Sequence, residues 1–164
     1  MLTISLLLNC WLIIHGLLQE HIMSMAFGFC TASDDQLENI INGNIDLHEM
    51  RWNTDNQYEN FIQESFEFYS MEVLEILGSG DYPLSNLLFL AKEDKEFYEA
   101  QEGLLYDSDA VTQIVSDFQE TDLNEVVSDM GYAEDQDVIN LFQKVQKLFE
   151  FANEKDINVI GFII

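Results

Sequence analysis

The sequence predicts an α+β fold, and three observations predict it. Short strand-like apolar segments open, divide and close the chain, while segments of helical period fill the intervals. The resulting order is strand, helices, strand, helices, strand, with no internal repeat and none of the regular alternation of a doubly wound sheet. Finally, 48% hydrophobic and 12% aromatic residues in 164 give a single domain enough to bury, although the formal charge is -25.

The elements follow in order. AFGFCTA sets Phe27 and Phe29 against smaller residues and predicts a short strand. Ser33 and Gln36 form a capping box for a helix with Leu37, Ile40 and Ile41 on one face, and Gly43 stops it. A second helix is predicted from Thr54, carrying Tyr58, Phe61, Ile62, Ser65, Phe66 and Tyr69 at helical spacing. It runs on through Val73, Leu74 and Leu77 to the turn GSGDYP. PLSNLLFLAK reads as a helix with proline in its first turn, with a strand as the other reading.

Leu104 to Tyr106 is the next strand, after which Ser108 is expected to cap a helix with Val111, Ile114, Val115 and Phe118 inward. Asp122 and Glu125 open a short helix burying Leu123, Val126, Val127 and Met130. Val138, Leu141, Phe142, Val145, Leu148, Phe149 and Ala152 form the stripe of a long helix, with Lys144, Lys147 and Lys155 favourable toward its negative end. INVIGFII has too little polarity for an exposed strand and too much β-branching for a helix end, so it predicts an interior strand that closes the fold.

Residues 1–22 are set apart as an apolar leader, and the domain is placed at residues 23–164. LTISLLLNCWLIIHGLL lacks the cationic n-region of a secretory signal, since no Lys or Arg precedes Arg51. It also falls short of the roughly 20 residues that span a bilayer. The expectation is a start at Met23 or Met25, or a leader that is an accessory helix with no chemistry, in either case in the cytoplasm. The alternative is export or membrane association through residues 1–22, with Ser24-Met25-Ala26 as a small-residue cleavage site.

Against 31 acidic residues stand six basic ones, Arg51, Lys92, Lys95, Lys144, Lys147 and Lys155. Nucleic acid and anionic lipid are therefore expected to be repelled, because binding a phosphate chain requires a positive surface that displaces its counterions, and a membrane is expected only if residues 1–22 act as a signal or anchor. A basic protein is attracted instead. Cys10 and Cys30 are the only thiols, which does not amount to a disulfide framework.

The stretch MSMAFGFCTASDDQLENII, from Met23 to Ile41, resembles the opening of the YfbM-like bacterial domain of unknown function. YPLSNLLFLA resembles that family's mid-chain proline-leucine segment, and Leu104 to Ile164 is similar to its C-terminal half. The resemblance implies a single α+β domain beginning near Met23 and carries no established activity onto residues. It departs between Asp46 and Leu77: the family carries a tryptophan-histidine pair leading into its first long helix, whereas here His48 precedes Trp52 by four positions.

No catalytic constellation, metal site or cofactor is predicted. His48, the only histidine beyond the leader region, has Asp46 and Glu49 beside it but no third ligand or nucleophile in a recognisable pattern. Cys30 reads as a packed thiol, and Asp107, Asp109, Asp117, Asp122 and Asp129 do not form a calcium loop. GSGDYP lacks the lysine of a phosphate loop.

The partner-binding candidates are instead acidic residues with an aromatic anchor: Glu64, Glu67, Phe68, Glu72, Glu75 and Asp81, joined by Glu134, Asp135 and Asp137. Between Trp52 and Ala91 there is no Lys or Arg. Charge of this kind speeds encounter with a basic protein, and aromatic groups hold the complex. The expected function is an acidic protein-binding module, an immunity protein or inhibitor that occludes the active site of a basic toxin. The alternative is an enzyme or small-ligand-binding protein using His48.

Overall fold

Strands from far apart in the chain pair at the centre of one antiparallel sheet. In the computed structural model, residues 27–47, 63–65, 77–91, 103–129 and 136–163 are described. Strand β1 (Phe27–Ala32) lies beside β4 (Asn158–Ile163), with the three-residue β2 (Gln63–Ser65) and β3 (Gly103–Tyr106) on the outside, giving the order β2-β1-β4-β3. All three pairings are antiparallel. The fold is α+β.

Cross-strand register sorts the side chains between two cores. Cys30, Ile160 and Leu105 are direct partners, and with Ala32 and Phe162 they form the smaller core. That core is covered by helix α1 (Asp34–Ile41), through Ile40, Leu37 and Ile41, and by Leu47. Phe29, Val159 and Tyr106 point the other way, into the larger core. There they meet α2 (Asn86–Phe89), α3 (Ser108–Glu120), α4 (Leu123–Asp129) and the twenty-residue α5 (Gln136–Lys155).

Phe29, Tyr106 and Phe149 meet edge to face at the centre of this core, with ring centroids 5.4 to 5.9 Å apart. Each such pair contributes about 0.5–1.5 kcal/mol beyond the area it buries. Gly161 makes room for the Tyr106 ring, because a Cβ there would stand 3.0 Å from Cε2. The Tyr106 hydroxyl donates to the Leu87 carbonyl and so ties α2 to the sheet.

Local signals set most of the helix ends. Ser33 accepts from the Gln36 backbone N–H at 3.3 Å, and Gln36 Oε1 accepts from the Ser33 N–H at 2.8 Å, so the expected capping box is complete. At the other end of α1, Gly43 adopts φ +72, with its N–H bonded to the Ile40 carbonyl and the Asn44 N–H to the Asn39 carbonyl. This is the left-handed closure for which glycine is suited. Pro83 begins a short 3-10 turn, Pro83–Ser85, that leads directly into α2, so the helical reading of PLSNLLFLAK holds over Pro83 to Phe89.

Two expectations are corrected. The helix predicted from Thr54 to Leu77 is not continuous, because Gln63–Ser65 is a strand, with Gln63 opposite Cys30 and Ser65 opposite Gly28. Pairing with β1 overrides the helical spacing of the surrounding aromatics. The cap of α3 is Asp107 rather than Ser108: Asp107 Oδ1 accepts from the Ala110 N–H at 3.1 Å, and Ser108 is the first helical residue. The leader, His48, Trp52 and Met130 lie outside the described residues.

Candidate functional site

The spacing of Leu123, Val126 and Val127 turns one side of α4 into the larger core and leaves Glu125 and Asp129 exposed on the other. Glu120, at the end of α3, and Asp122, in the connection between the two helices, are exposed as well. The α3–α4 corner therefore presents carboxylates in succession. Asp122 is held by its role as a cap: Oδ1 accepts from the Asn124 N–H at 2.9 Å and the Glu125 N–H at 3.4 Å. The bonds from the Asn124 backbone and side chain, then that from the Glu125 backbone, keep its carboxyl below the usual aspartate value.

Tyr82 joins this corner from 47 positions away, its ring packed on the larger core and its hydroxyl donating to Asp129 Oδ2 at 3.4 Å. That distance is long for an O–H···O bond. Burial first, then the Asp129 carboxylate, with Asp81 and Glu125 adding, raises the Tyr82 hydroxyl above the ordinary tyrosine value. Asp81, Glu125 and Asp129 thus act together on one point of the surface. A negative potential of this kind suits an ammonium or guanidinium group.

Glu120, Asp122, Glu125 and Asp129 have no basic residue on their own helices or connection. Among the described residues the basic side chains are Lys144, Lys147 and Lys155, all on α5. The Lys155 ammonium sits 5.9 Å from the centre of the Phe151 ring. The exposed acids of α1, α3, α4 and the turn before Pro83 have no basic neighbour within their own elements.

Of the residues singled out in sequence, Asp81 is exposed in the turn before Pro83, its N–H 3.3 Å from Ser79 Oγ. Asp137 is exposed in the first turn of α5. Glu64 falls on β2 opposite Phe29, on a strand and not on the expected acidic helix face. Glu67, Phe68, Glu72, Glu75, Glu134 and Asp135 lie outside the described residues. Glu125, Asp129 and Tyr82 are not among the partner-binding candidates read from the sequence. One signal for Asp129 is present in the sequence: an acid in the last turn of a helix without a basic residue there works against the helix dipole.

Buried polar groups lie elsewhere. Asp117 on α3 is 4% exposed, accepting from Asn86 Nδ2 at 2.7 Å and Gln113 Nε2 at 2.9 Å. The bond from Asn86 fastens α2 to α3, while that from Gln113 lies within α3. Cys30 is fully buried in the smaller core, as a packed thiol would be. Among the described residues no group of three or more His, Cys, Asp or Glu could hold a metal ion, and no helix is long and apolar enough to cross a membrane. No protein-family model matches the chain, and no curated protein or solved structure does either.

Proposed function

We propose that the chain is an acidic protein-binding module acting in the cytoplasm, an immunity protein or inhibitor that neutralises a basic toxin by covering its active site. The observation that carries this reading is the distribution of charge. Carboxylates of Asp81, Glu125 and Asp129 share one corner around Tyr82, while the described lysines are confined to α5. A cationic substrate groove, such as that of a nuclease, is the complementary surface, and association with it is steered by long-range attraction.

The test uses the full chain, immobilised and exposed to lysate of its source cells, with washes of rising salt. One basic protein is expected to be retained in stoichiometric amount and released by salt, and its catalytic activity should be suppressed by one equivalent of the chain. The triple variant Asp81→Lys, Glu125→Lys, Asp129→Lys should weaken that complex by at least about tenfold at low salt. Unchanged affinity in the triple variant would remove this corner from the interface. Failure to retain any basic protein would overturn the inhibitor reading itself.

A further inference from the structure

We draw no further inference here: the strongest candidate, the apolar patch on α2 where the exposed ring of Phe89 follows the half-buried Leu88 and precedes Leu90, is a surface for which nothing in the structure shows what covers it.

Discussion

Tyr106 combines three tasks in one side chain. Its ring packs against Phe29 and Phe149, its edge occupies the space that a side chain at Gly161 would take, and its hydroxyl holds the Leu87 carbonyl. Complete burial pushes the hydroxyl far above the ordinary tyrosine value of 10.0, because the phenolate loses its hydration. A group raised in this way contributes stability below its unfolded value that is lost as pH rises toward the folded one. Above about pH 10, Tyr106 alone should therefore lower the unfolding free energy by about 1.4 kcal/mol per pH unit. Tyr106→Phe is expected to remove that part of the slope, and to cost about 1–3 kcal/mol at neutral pH by leaving the buried Leu87 carbonyl without its donor. Urea unfolding of both proteins from pH 7 to pH 11 measures the two effects separately. Equal slopes above pH 10 would contradict the burial of the hydroxyl.

Two helix ends show how single elements depend on their last residue. Helix α5 closes through Asp156 at φ 53, with the Asp156 N–H bonded to the Asn153 carbonyl and the Ile157 N–H to the Ala152 carbonyl. The hydrogen bonding matches the closure of α1, but an aspartate stands where α1 has Gly43. A side chain costs about 1–2 kcal/mol in that conformation, partly offset by the entropy that glycine loses on folding. Asp156→Gly is thus expected to raise stability by roughly 0.5–1 kcal/mol, read as an increase in the urea midpoint. At the start of α4, Asp122 has a lowered folded-state value, so its contribution is present above the unfolded value of 3.8 and disappears as pH falls through the folded one. Asp122→Ala should be less stable than the parent at neutral pH, and the gap should narrow below pH 3.8. A gap independent of pH would mean that the ionised carboxylate is not what caps the helix.

Charge acts at the scale of the whole molecule. A formal charge of -25 on 164 residues repels itself in the folded state more than in the expanded chain. Screening shortens the range of that repulsion, to about 10 Å at 0.1 M salt. Raising sodium chloride from low to moderate concentration should therefore increase the urea midpoint of the free protein, even as it weakens the proposed complex with a basic partner. These opposite responses separate the two consequences of one charge distribution. A midpoint that falls with added salt would show that attractive pairs, not repulsion, dominate the surface.

Elements whose signals are local were legible in the chain before any packing was known. The capping box at Ser33, the stop at Gly43 and the stripes of α3, α4 and α5 are set by hydrogen bonds and periodicities within a few residues. The composition of INVIGFII likewise marked an interior strand, since Asn158 is the one polar side chain in it. Tertiary structure alone decided β2, because Gln63, Glu64 and Ser65 have no strand preference of their own and become a strand by pairing with β1. It also decided the strand order and the division into two cores, which follow from pairing between distant segments. The acidic content of the candidate surface was legible as composition, but its location was not. Bringing Tyr82 to Asp129 takes a contact across 47 positions, and such a contact exists only once the helices have packed on the sheet.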